Sequence, residues 1–174
     1  DASKPVLKTL GDPDVSDEVL LMYAHHFEHG IRSMAAGAIN NHKRYHLVAQ
    51  LLKSKDPRAR VTALTAINGP NKSAKFPDEA LTSEVFKLVG TMIDNPDEAW
   101  WATLNAMTVM GRAKPQQIAP HFDNMMKWLD HEDWWLRQAA MIGLTPLASE
   151  GEYYQAFLTK VADALSKSDR MGDF

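Results

Sequence analysis

Four nine-residue windows of the 174-residue chain line up: IRSMAAGAI from Ile31, ARVTALTAI from Ala59, ATLNAMTVM from Ala102 and LRQAAMIGL from Leu136. The fifth position is alanine each time (Ala35, Ala63, Ala106, Ala140), and the ninth is a large apolar residue (Ile39, Ile67, Met110, Leu144). Positions one, five and nine recur at about helical spacing, so each window is predicted to be a helix whose alanine marks its closest contact. A small residue there lets two helix axes approach closely, which constrains the chain to tightly packed helical pairs.

Three windows follow an acidic, turn-forming cluster: Asp56-Pro57, Asp94-Asn95-Pro96-Asp97 and Asp130-His131-Glu132-Asp133. Asp or Asn can cap the next helix, and Pro is tolerated in its first turn. Another amphipathic stretch precedes each cluster: HLVAQLLKS, EVFKLVGTMID and FDNMMKWLD. The unit is therefore a first helix, a short acidic turn and a second helix carrying the alanine. Three windows place Arg second (Arg32, Arg60, Arg137), and Thr103 is the departure. Leu136-Arg137 with Ala140 and Leu144 resembles the second helix of a HEAT repeat, as does Ile31-Arg32 with Ala35 and Ile39. The resemblance implies an all-α fold, a right-handed superhelix of about four helical hairpins over residues 1–174. GPNKSAKFPDEA at residues 69–80 reads as an inserted loop, and a last helix is predicted from about Tyr153 to Ser166. The chain then stops at RMGDF, as expected of a piece of a longer protein.

There is no cysteine, which excludes thiolate zinc sites and thiol nucleophiles. The apolar stretches are too short and interrupted to cross a membrane. Charge is uneven. Residues 1–75 carry eleven Lys/Arg against seven Asp/Glu, and residues 76–174 carry eight against fifteen. That mild polarity is not the footprint of a nucleic-acid-binding chain. Neither compartment nor oligomeric state follows from the composition.

His25/His29 and His42/His46 are each spaced i,i+4, which on one helical face would suit a metal. The repeat reading has His25/His29 closing a first helix and His42/His46 opening the next, with the intervening helix of about twelve residues separating the pairs by roughly 18 Å. No metal site, cofactor or catalytic constellation is expected, because turn carboxylates are explained by capping and no serine sits in a nucleophile turn. The run KSKDPRAR places Lys53, Lys55, Arg58 and Arg60 around one turn, with Lys43 and Arg44 one helix earlier. A cation at Arg58 opposes the helix dipole, so a phosphate-binding surface is one explanation and solvated turn charge the simpler one.

EAWWATLNAM and EDWWLRQAAM put Trp100-Trp101 and Trp134-Trp135 at matching places, at the start of two second helices. Helical geometry turns both pairs away from the alanine-lined seam. Each pair is expected to fill the junction with the next repeat; the alternative is an aromatic ladder on the surface. The function expected from this reading is non-catalytic protein interaction or scaffolding, and not an enzyme. A protein or peptide partner would meet Trp100, Trp101, Trp134, Trp135 and Arg137, and nucleic acid is not an expected partner. The alternatives are nucleic-acid backbone binding through residues 43–60 and carbohydrate binding through the paired tryptophans.

Overall fold

The computed structural model describes residues 3–70 and 75–168, and within them the chain is all-α, with helices and turns and no strand. It divides into two compact units, Asp1–Val89 and Gly90–Phe174.

The first unit holds α1 (Ser3–Leu10), α2 (Asp17–Ala24), α3 (His29–Asn41), α4 (His46–Leu52) and α5 (Pro57–Asn68). Helix α3 packs on α1, α2 and α5, and α5 packs also on α4. The aligned positions make this core: Ala35, Ile39, Ala59 and Ala63 are fully buried, and Ile31 and Ile67 are nearly so. Two buried polar side chains stitch the helices together. The Thr62 hydroxyl reaches the Ala24 carbonyl at the end of α2 (2.8 Å), and Asn40 Nδ2 donates to Ala66 O near the end of α5 (2.8 Å). Ala66 O also takes the Gly69 N–H at 3.3 Å, whereas the Thr62 bond satisfies a carbonyl that the end of α2 leaves without an intrahelical partner. His42 Nε2 does the same for Leu10 O (2.7 Å).

Of the predicted inserted loop at 69–80, residues 71–74 lie outside the described residues. Gly69 ends α5 at φ 83°, a left-handed conformation that suits glycine. Beyond the gap, Phe76 is fully buried, edge-on to Tyr45 at 4.9 Å, and Asp78–Ala80 form one 3-10 turn. Helix α6 (Ser83–Asp94) contains the boundary between the units.

The second unit continues with α7 (Trp100–Met110), α8 (Pro115–Ile118), α9 (Phe122–Trp128), α10 (Trp134–Leu144) and α11 (Gly151–Ser168). Helix α10 packs on α7 and α9. Ala102, Ala106, Met110, Ala140 and Leu144 are fully buried there, and Leu136 nearly so. Gly143 brings α10 so close to α7 that a Cβ would lie 2.5 Å from the Met107 carbonyl oxygen. The closing helix is longer at both ends than predicted, and RMGDF lies outside the described residues. No helix of the described residues is long and apolar enough to cross a membrane.

Candidate functional site

The turn that precedes each second helix is built the same way three times. In each, the side chain of the turn's first residue accepts the N–H two residues on. His26 Nδ1 takes Glu28 N–H at 3.1 Å, Ser54 Oγ takes Asp56 N–H at 3.1 Å, and His131 Nδ1 takes Asp133 N–H at 3.0 Å. An arginine six residues on then returns to the turn's carbonyls. Arg32 Nη1 donates to His26 O and Phe27 O (2.8 and 2.7 Å), Arg60 Nη1 to Ser54 O (2.7 Å), and Arg137 Nη1 to His131 O and Glu132 O (2.7 and 2.8 Å). Burial, and then the neighbouring Arg58 charge, push the Arg32 guanidinium below its ordinary pKa.

The turn before α7 departs from this plan. Asn95 Oδ1 accepts Asp97 N–H at 3.0 Å, but the helix starts two residues later, with Ala99 as N-cap. Helix register is nonetheless kept, because the N-caps Glu28, Asp56, Ala99 and Asp133 all stand seven residues before the aligned alanine. Thr103 therefore does occupy the arginine's place, buried and with its hydroxyl 3.5 Å from Ala99 O. Of the predicted acidic caps, Asp56 and Asp133 accept the N–H of Arg58 and Trp135 (2.9 Å each), whereas no Asp caps α7.

Arg137, expected as a partner contact, clamps a turn through its Nη1. The phosphate-binding candidates are also largely engaged. Lys53 pairs with Glu84 at 2.6 Å, Arg58 grips both Asp56 oxygens at 3.0–3.2 Å, and Arg60 holds the Ser54 carbonyl. Hydrogen bonding from Arg58 is the largest cause holding the Asp56 carboxyl below its usual range. Lys55 is exposed and forms no ion pair with the described residues. The histidine pairs do not share a helix: His25 ends α2 and His29 starts α3, while His42 ends α3 and His46 starts α4. An i,i+4 spacing that straddles a turn cannot present two imidazoles on one face. His25 Nδ1 donates to Leu21 O (2.8 Å), and His46 meets Asp17 (2.6 Å).

The tryptophans occupy the first two positions of α7 and α10, as the repeat predicts. They do not fill a junction. Trp100 is 56% exposed, Trp134 43% and Trp135 55%, with Trp101 half-buried. The indoles of Trp134 and Trp135 stack on each other, with centroids 3.7 Å apart and planes at 26°. Helix dipole and backbone N–H groups leave the N-terminal ends of α7 and α10 electropositive, while the turns that lead into them carry Asp97, Glu98, Glu132 and Asp133.

Beside the last turn lies a cavity of about 330 Å³, walled by Ile93, Pro96, Trp128 and His131. Its polar groups satisfy one another. Asp94 receives His121 Nδ1 and Asn124 Nδ2 (2.7 Å each), and Asn124 Oδ1 receives Lys127 Nζ at 2.9 Å. Sequence reasoning put Asn95 and His131 in turns but missed that they, like His26 and Ser54, accept a turn N–H. The signal was present in HxExxxR at His26–Arg32 and HxDxxxR at His131–Arg137.

Residues 29–171, more than four-fifths of the chain, match the family model described as DNA alkylation repair enzyme. No curated protein matches the chain. The family match corrects four expectations at once. The chain is assigned to this helical family and not to the HEAT repeats. A non-catalytic protein-binding scaffold gives way to DNA repair, the exclusion of an enzyme to a family of enzymes, and nucleic acid as an unexpected partner to DNA as the family's substrate. The physical reason is plain in the turns. An alanine at a close helix contact and an arginine reaching back to turn carbonyls serve any packed helical hairpin, so that pattern reports packing and not ancestry.

Proposed function

The chain belongs to the DNA alkylation repair enzyme family, and from that premise we propose that it recognises an alkylated base in DNA and releases it hydrolytically. With no cysteine in the chain, the alkyl group has no protein thiolate to move to. Alkylation of a purine ring nitrogen gives the base a positive charge. When the bond from sugar C1′ to the base breaks, the base leaves as a neutral molecule. Water adds its oxygen to C1′ and its proton goes to solvent. The protein's part is to hold the cationic base and to stabilise positive charge developing on the sugar.

The observation that carries this reading is the exposed, stacked Trp134–Trp135 pair, matched by Trp100 at the start of α7. An indole face attracts a cation, and an acidic surround favours a positively charged base over a neutral one. The same carboxylates repel phosphates, so these helix ends read the base and not the backbone.

The test compares a duplex bearing one 7-methylguanine with the unmodified duplex, by fluorescence anisotropy and by release of free base. The modified duplex is expected to bind more tightly and to lose its base. Trp134→Ala and Trp135→Ala are each expected to weaken its binding about tenfold, the scale of one base–aromatic contact. Equal binding of both duplexes by the wild-type protein, with no base released, would refute the proposal.

A further inference from the structure

Phe27 is 71% exposed, more than any other large apolar residue described, yet it is held firmly. Arg32 Nη1 fixes its carbonyl at 2.7 Å and that of His26 at 2.8 Å. The His26 ring, fixed in turn by the Glu28 N–H, lies against the Phe27 ring at 4.6 Å and 27°. One face of the phenyl ring is thus covered by imidazole and the other meets solvent. Burial would favour such a ring, whereas exposure leaves the hydrophobic gain unrealised.

Cations stand close by. His25 Nε2 lies 3.2 Å from Ser54 Oγ, which joins this turn to the one carrying Lys53, Lys55 and Arg58. Arg58 is near enough to Arg32 for their charges to interact. Lys55 and Arg58 are both exposed. An aromatic face beside cations is the combination that binds single-stranded nucleic acid, the ring taking a base and the cations its flanking phosphates. A base inside a duplex has both faces covered by its neighbours, so the ligand of an open ring face is an unstacked one.

We infer that this end of the first unit is a second nucleic-acid contact, in which the free face of Phe27 stacks on an unpaired base while Lys55 meets an adjoining phosphate. The inference rests on the reading that the chain binds DNA, and it adds a site that the tryptophans do not provide.

The test titrates the whole chain with two probes: a fully paired duplex bearing 7-methylguanine, and an oligothymidine single strand. Phe27→Ala is expected to weaken oligothymidine binding about tenfold and to leave the paired duplex unaffected. Phe27→Trp restores binding. Phe27→Ala keeps the wild-type dependence of affinity on salt, whereas Lys55→Gln lowers that slope by about one. Since Phe27 is exposed, thermal unfolding of both Phe27 variants should match wild type. Oligothymidine binding that is unchanged in Phe27→Ala, or not restored in Phe27→Trp, overturns the inference. If the wild-type chain binds the duplex but not oligothymidine, only the inference falls. If it binds neither, the DNA-repair reading falls with it.

Discussion

Gly143→Ala is expected to lower stability by about 2 kcal/mol, although alanine is the better helix former. In an exposed helix the exchange would gain roughly 1 kcal/mol. Here the added methyl would sit 2.3 Å from Met125 Cε and 2.5 Å from the Met107 carbonyl oxygen. The methionine tip can swing aside, but the carbonyl belongs to the backbone of α7, so α7 and α10 must separate. Overpacking of this kind costs about 1–3 kcal/mol, and the rigid partner puts this case at the upper end before the propensity gain is subtracted. Gly30→Ala is the control, because a Cβ there meets nothing within 4 Å and φ is not positive. Denaturant midpoints read both. A Gly143→Ala protein as stable as wild type would mean that the α7–α10 contact has slack.

Arg137→Met should cost about 2 kcal/mol, through the loss of charge-assisted bonds to the carbonyls of His131 and Glu132. Methionine keeps much of the packing of the arginine stem, so the loss reports the guanidinium. Lysine should rescue poorly, since a flexible ammonium lacks the planar fork that spans two adjacent carbonyls. Arg32→Met should behave similarly, having the same pair of acceptors. Chemical denaturation decides between the clamp and the partner contact first expected. If Arg137→Met unfolds like wild type and only its DNA affinity falls, the residue is a contact and the clamp is incidental.

The helices were legible because their signal is periodic. The aligned alanines and aliphatic positions encode burial, and burial is local enough to read from one strand of text. Trp100 and Trp134 were correctly placed at helix starts for the same reason. The direction of their indoles was not legible, since it depends on whether a neighbour covers them, which no periodicity records. The turn contact of Arg137 was not legible, because a recurring cation reads alike whether it meets a partner or its own backbone. His25/His29 misled in a third way: a spacing of four carries helical meaning only inside a helix, and here the turn falls between the two. Membership of the repair family was beyond the windows altogether, since they report the packing that many helical families share.

The stacked indoles at the start of α10 also have an optical consequence. Two identical chromophores stacked 3.7 Å apart with their planes at 26° do not absorb independently. Their transitions mix, and the pair carries a circular-dichroism signature that a lone tryptophan lacks. Anything that slips between the rings, tilts one, or lies over them alters that coupling. The protein therefore carries a built-in, label-free gauge of events at this one helix end.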